Sequence, residues 1–109
     1  MADTTTLAAP NLSRDELVSG LRALRQLFER EGVTRMTLFG SRARGDHRPD
    51  SDVDLILEVD PKAKFSLLDL VGVGHIVDDH FGLKGDIQMR RSLRPYLADE
   101  AGRDGIDVF

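Results

Sequence analysis

The chain has no cysteine, no tryptophan, one tyrosine and four prolines among its 109 residues. Without a thiol there is no disulfide framework, no thiolate zinc site and no cysteine nucleophile, so any metal must be held by oxygen or imidazole. No run approaches the roughly 20 apolar residues of a membrane span. The opening MADTTTLAAPNLSRDE has no basic head followed by an apolar stretch, so it does not read as a secretory signal, and the expected location is the cytoplasm. Positive charge is not in excess either. Fifteen Lys and Arg against nineteen Asp and Glu give a formal net charge of -4, which argues against stable, charge-driven binding of nucleic acid, because phosphate contacts demand a basic face. The length leaves room for one core and not for a second catalytic domain.

What remains is the balance of a soluble globular protein, 40% hydrophobic and 31% charged. Residues 1–11 are small, polar and aperiodic and are expected to be a disordered tail, with residues 12–109 forming the domain. Ser13, Arg14, Asp15 and Glu16 make an S-x-x-E capping box, with Leu12 and Leu17 placed as a hydrophobic staple. A helix is therefore predicted from Ser13, with an apolar stripe of Leu17, Leu21, Leu24, Leu27 and Phe28 and a stop at Gly32. Val33 to Phe39 reads as a strand between glycines, Gly40 to Gly45 as a turn, and Asp46 to Ser51 as a polar loop. Asp52 to Val59 alternates between polar and apolar and is the clearest strand. Phe65 to Phe81 has helical spacing and a stop at Gly82, although Gly72 and Gly74 each weaken a helix by about 1 kcal/mol relative to alanine. Gly85 to Met89 reads as a third strand, Pro95 opens a last helix running to about Gly102, and Ile106, Val108 and Phe109 are expected to pack back. This order predicts an α/β (α+β) domain with a small mixed β-sheet flanked by helices.

The chemistry is concentrated at the second strand. Alternation puts Asp52, Asp54, Ile56 and Glu58 on one face and Val53, Leu55, Leu57 and Val59 on the other, which is the core. Two neighbouring carboxylates raise each other's proton affinity unless a cation lies between them. Hard oxygen ligands favour Mg²⁺, or Mn²⁺ in its place, over zinc. In isolation such an acid pair is usually a solvated feature. Its weight rises because GSRARG lies just upstream, at the end of the previous strand, where backbone N–H groups can receive phosphate oxygens. Gly40 permits close approach, Ser41 offers a hydroxyl, and Arg42 and Arg44 offer guanidinium forks suited to phosphate. No Gly-Lys-Ser or Gly-Lys-Thr follows, so this is not a Walker loop, and the middle glycine of a dinucleotide fingerprint is absent.

The string LFGSRARGDHRPDSDVDLILEV, Leu38 to Val59, resembles the signature of the nucleotidyltransferase superfamily that includes DNA polymerase beta. At this length it is similar to the minimal nucleotidyltransferase (MNT) group: Gly-Ser, then Arg-Gly, then Ser-Asp-x-Asp-Leu after a short loop. The resemblance implies the polymerase beta-like nucleotidyltransferase fold and a third carboxylate on the next strand, for which Asp86 in GDIQM is the match, although Gly85 stands where relatives more often carry an apolar residue. It implies catalytic, metal-holding roles for Asp52, Asp54 and Asp86 around two Mg²⁺ ions, and ATP as substrate. Ser41 and Arg44 would hold the outer phosphates, with Gly40 and Arg42 completing the nucleotide cradle. It implies, finally, that AMP passes to a hydroxyl, that of a tyrosine, of a HEPN-domain toxin, making this chain the antitoxin of a type VII-like hetero-oligomeric pair. The alternatives are a small-molecule adenylyltransferase, which the absence of an additional helical domain disfavours, and an antitoxin that neutralises by binding alone.

Other candidates have plainer explanations. Asp69, Asp78 and Asp79 fall within the predicted helix, His47 reads as a solvated loop residue, and His75 and His80 share no helix face. Lys84, Arg90, Arg91 and Arg94 form a basic cluster around the third strand, and Tyr96 reads as packing.

Overall fold

The structure, a computed structural model, describes residues 12–109; the tail expected over residues 1–11 lies outside the described residues. Helix α1 (Arg14–Ala23) begins at the capping box. Ser13 Oγ accepts from the Glu16 N–H at 3.1 Å, and the Glu16 carboxylate accepts from the Ser13 N–H at 3.0 Å. The single helix expected to reach Gly32 is broken at Leu24, whose backbone (φ -94°, ψ 7°) leaves the helical region before α2 (Arg25–Arg30) resumes. The Leu24 N–H bonds to Leu21 O at 3.0 Å, a tightened turn that shifts the helical phase. Leu17, Val18, Leu21 and Phe28 are buried as a result, while Leu24 and Leu27 are only partly so.

Strand β1 (Val33–Phe39) leads into the one-turn helix α3 (Ser41–Arg44), bracketed by Gly40 and Gly45 at φ 74° and 86°. Strand β2 (Val53–Val59) and helix α4 (Leu67–Phe81) follow. Helix α4 starts two residues later than its periodicity predicts, because Ser66 and Asp69 form a second capping box there. Strand β3 (Gly85–Met89), a 3-10 turn (Arg90–Ser92), helix α5 (Pro95–Asp104) and strand β4 (Ile106–Asp107) complete the chain.

The sheet has the order β3-β2-β1-β4. β1 runs antiparallel to β2 and to β4, whereas β2 and β3 are parallel and joined by α4, so the sheet is mixed. The fourth strand is the element the sequence pattern does not show, since two residues are too few to display alternation. It pairs Ile106 with Leu38 and Asp107 with Thr37, and Arg22 holds it by donating to the carbonyls of Val108 (2.8 Å) and Asp107 (3.0 Å). The expected packing of the apolar end occurs: Val108 is buried, and the Phe109 ring stacks on Phe28 with centroids 6.3 Å apart.

The main core lies between one sheet face and helices α1, α2 and α4, where Leu17, Leu21, Phe28, Leu38, Leu55 and Val73 are fully buried. The opposite face is not simply solvated. Ile56, which alternation puts beside the acids, is 1% exposed, because α5 lays Ala101 and Leu97 over Phe39 and Ile56. This second, smaller apolar cluster fixes α5 against the polar face of the sheet. Among the described residues, no helix is long and apolar enough to cross a membrane.

Candidate active site

Chain register assembles the carboxylates. Asp54 is the second residue of β2 and stands directly opposite Asp86 on the parallel strand β3, at the ~4.8 Å spacing of neighbouring strands. Asp52 lies two residues earlier, at the mouth of β2, and strand alternation turns it to the same side. The Asp54 carboxyl is half-buried and its pKa is raised to about 6. Burial is the largest cause, followed by the charges of Asp86, Asp52 and Glu100 and by a hydrogen bond shared with Asp86. Asp86 is more exposed and accepts from the Gln88 side chain at 3.3 Å.

The glycine turn meets these acids from the other side of β2. Phe39, the last residue of β1, is the cross-strand partner of Asp54, so the chain leaves the sheet at Gly40 against the Asp54 carboxylate. A Cβ built on Gly40 would collide with that carboxylate, and the positive φ is itself unfavourable for other residues. Ser41 follows as the first residue of α3, half-buried, at the start of the same turn. The cradle and the acids therefore occupy one corner of the sheet.

The two arginines of GSRARG have different surroundings. Arg42 departs from the expected phosphate contact: it is fully buried and turned away toward the Asp46–Ser51 loop. Its Nε donates to Ser51 O at 2.9 Å, and its Nη2 to Pro49 O at 3.1 Å and Arg48 O at 3.3 Å. Burial lowers its pKa, with Asp50, Asp52 and Asp54 acting in the opposite direction. By gripping the carbonyl next to Asp52, Arg42 sets where β2 begins. Within one helical turn Arg42 and Ala43 point inward and Arg44 points out, which is why two arginines two residues apart do different things.

Arg44 is exposed and surrounded by acids. Its Nε lies 3.1 Å from Asp46 Oδ2, and its Nη1 lies 3.5 Å from Glu100 Oε2 and 3.9 Å from Asp104 Oδ2. The hydrogen bond with Asp46 is the main reason its pKa is raised. Glu100 and Asp104 were not anticipated from the sequence. They are i and i+4 on α5, a pattern visible in principle, but nothing local says that this helix face lies over Arg44.

The donors suit a hard divalent ion: the carboxyl groups of Asp52 and Asp86 act on Asp54, whose proton affinity is raised, and the sequence holds no thiol. Among the described residues, no three His, Asp or Glu side chains are already drawn tightly around one point, so the acids form an open corner and not a closed cage. Of the remaining candidates, His47 lines a groove with Arg44 and Gly45 on the outer side of the turn. His47 is half-buried, with Nε2 3.2 Å from Leu12 O. His80 Nδ1 lies 3.0 Å from Ile76 O, within its own helix. In the basic cluster, Arg90 is tied to Glu58 (3.9 Å) and Thr37 (3.4 Å). A groove of about 360 Å³ between α4 and β3, lined by Leu70, Val71, His75, Asp78 and Ile87 among others, includes none of Asp52, Asp54 and Asp86.

Comparison with known proteins places this architecture. Residues 20–108 match the family described as the nucleotidyltransferase domain, and the chain belongs to that family; it is a nucleotidyltransferase. A protein of Thermococcus cleftensis named protein adenylyltransferase MntA is 33% identical over 98 residues, covering 89% of this chain and 97% of that protein. A solved minimal nucleotidyltransferase is 32% identical, covers 86% of this chain and 94% of its own, and superposes with a TM-score of 0.71. Within the larger family, the chain is thus of the minimal, MntA-like kind. The fold is shared more distantly with a Shewanella oneidensis complex of a tri-AMPylated HEPN toxin with an MNT antitoxin: TM-score 0.56, 14% identity, 92% of this chain and 71% of that one.

Proposed function

We propose that this chain transfers AMP from Mg-ATP to a hydroxyl, that of a tyrosine, on a partner HEPN toxin, and so serves as the antitoxin of a cytoplasmic hetero-oligomeric pair. The observation that carries this reading is the contact between the Gly40 turn and Asp54, with Asp86 alongside in register. Phosphates received at the turn then lie against the acids. The names of the similar proteins support the reaction class and the partner.

In this reading Asp52, Asp54 and Asp86 would hold the divalent ions, Mg²⁺ or Mn²⁺, which when bound would supply charge neutralisation and lower the proton affinity of the attacking hydroxyl. Ser41 and Arg44 orient the outer phosphates, and the backbone at Gly40 lets the triphosphate approach closely. Asp86, the most exposed of the three acids, accepts the proton of the acceptor hydroxyl. That oxygen bonds to the α-phosphorus as the bond to the bridging oxygen breaks, and pyrophosphate leaves toward Arg44. Arg42 keeps Asp52 at the mouth of β2 by holding the Ser51 carbonyl.

The test is incubation with a co-encoded HEPN protein, Mg²⁺ and ATP labelled on the α-phosphate. Label should appear on the partner and be lost with Asp54→Asn. Neutralisation of the toxin that persists in Asp54→Asn, with no label from wild type, would replace transfer by simple sequestration. Label on a small molecule in the absence of any protein acceptor would overturn the choice of acceptor.

A further inference from the structure

Arg44 meets carboxylates from two directions, and those on α5 belong to no sequence motif. Glu100 contacts Arg44 at 3.5 Å with 29% of its side chain exposed, and Asp104, one turn further on, lies at 3.9 Å. The helix carrying them does not hang free, since Ala101, next to Glu100, is packed against Phe39 and Ile56. Glu100 also acts electrostatically on Asp54. It therefore borders both halves of the site, the guanidinium that would meet phosphates and the acid that would meet metal.

We propose that Glu100 is a specificity-determining residue that makes nucleotide binding depend on the divalent cation, a role that rests on the nucleotidyltransferase reading above. Asp46, Asp52, Asp54, Asp86, Glu100 and Asp104 face this corner, six carboxyl groups against the exposed guanidinium of Arg44 and the buried one of Arg42, whose charge acts on Asp52 and Asp54 from behind the loop. Asp46 and Glu100 together already exceed the single charge of Arg44. A bare triphosphate meets a net negative field, whereas a metal-complexed triphosphate brings compensating charge to the acids. Glu100 thus repels the first and favours the second, and it does so without touching the reacting atoms.

Glu100→Gln keeps an oxygen for Arg44 and removes one charge. A unit charge ~7 Å from a phosphate at an effective dielectric near 20 corresponds to roughly a 10- to 50-fold change in affinity. Isothermal titration calorimetry at fixed ionic strength, with ATP in EDTA and then with ATP in excess Mg²⁺, reads the effect. The variant should bind metal-free ATP at least about tenfold more tightly than wild type, with Mg-ATP affinity shifted less than about threefold. Asp104→Asn should move metal-free ATP in the same direction by less, in keeping with its longer distance, and so provides a second reading should Glu100→Gln fold poorly. Asp99→Asn, the same charge change at an exposed neighbour on α5, should leave the ratio alone. An unchanged ratio in Glu100→Gln and Asp104→Asn, or an equal shift in Asp99→Asn, overturns the role of Glu100 while leaving the enzyme reading intact. Wild type that binds neither form of ATP overturns the enzyme reading and this one with it.

Discussion

Replacing Asp54 by asparagine should make the metal-free protein more stable, in a pH-dependent way. The pKa of the Asp54 carboxyl rises from 3.8 to about 6 in the folded protein. At ~1.4 kcal/mol per unit, a shift of about two units corresponds to ~3 kcal/mol, which falls to about 1–2 kcal/mol once the screening open to a half-exposed group is allowed for. The sign follows from linkage: an acid that holds its proton more tightly when folded favours folding at low pH and costs stability as pH rises from about 4 to about 6. Above that window the cost is complete. Asp54→Asn removes it, so in EDTA at pH 7.5 the variant should melt higher by roughly 4–16 °C, taking ~4–8 °C per kcal/mol for a domain of this size. Below pH 4 the two proteins should melt alike. Thermal denaturation followed by circular dichroism across pH 3.5–8 makes the comparison, and Mg²⁺ should then raise the melting temperature of wild type but not of the variant. A variant less stable than wild type in EDTA at pH 7.5, or a difference independent of pH, would refute the account of a corner destabilised by its own acids.

Two further substitutions probe the scaffold around that corner. Gly40→Ala places a methyl against the Asp54 carboxylate at a positive φ; it should cost at least about 1–3 kcal/mol in urea unfolding and abolish nucleotide binding even where the fold survives. Arg42→Met leaves the carbonyls of Arg48, Pro49 and Ser51 without their donor. It should cost about 2–4 kcal/mol and loosen the Asp46–Ser51 loop, seen as faster amide exchange there, whereas retention of full stability would show that the buried guanidinium is dispensable.

Much of the architecture was legible because local signals were strong. The Ser13 box set the first helix start, glycines with positive φ ended elements at Gly32, Gly40, Gly45 and Gly82, and the alternation of β2 separated the core face from the acidic one, whereas the Ser66 box that starts α4 was passed over in favour of the apolar spacing from Phe65. The break at Leu24 was not legible, since the hydrophobic spacing runs through it and only the packing of Phe28 chooses the phase. The two-residue strand β4 was invisible for a related reason: it exists because β1 offers an edge and Arg22 holds the returning carbonyls. That Arg42 is buried and Arg44 exposed was not legible, because both are arginines of one short turn and only the direction of each within it separates them.

Sequence alone was enough to specify the chemistry available at this corner: which acids stand on β2, which glycine precedes them, and that oxygen donors rather than sulfur would meet any metal. Side-chain period and turn chemistry are local properties, written in adjacent residues. Which charges face one another was decided in three dimensions. The parallel pairing that sets Asp86 beside Asp54, the burial of Arg42 and the descent of α5 onto Ile56 that brings Glu100 to Arg44 all depend on contacts between segments distant along the chain, whose relative position only the packed core determines.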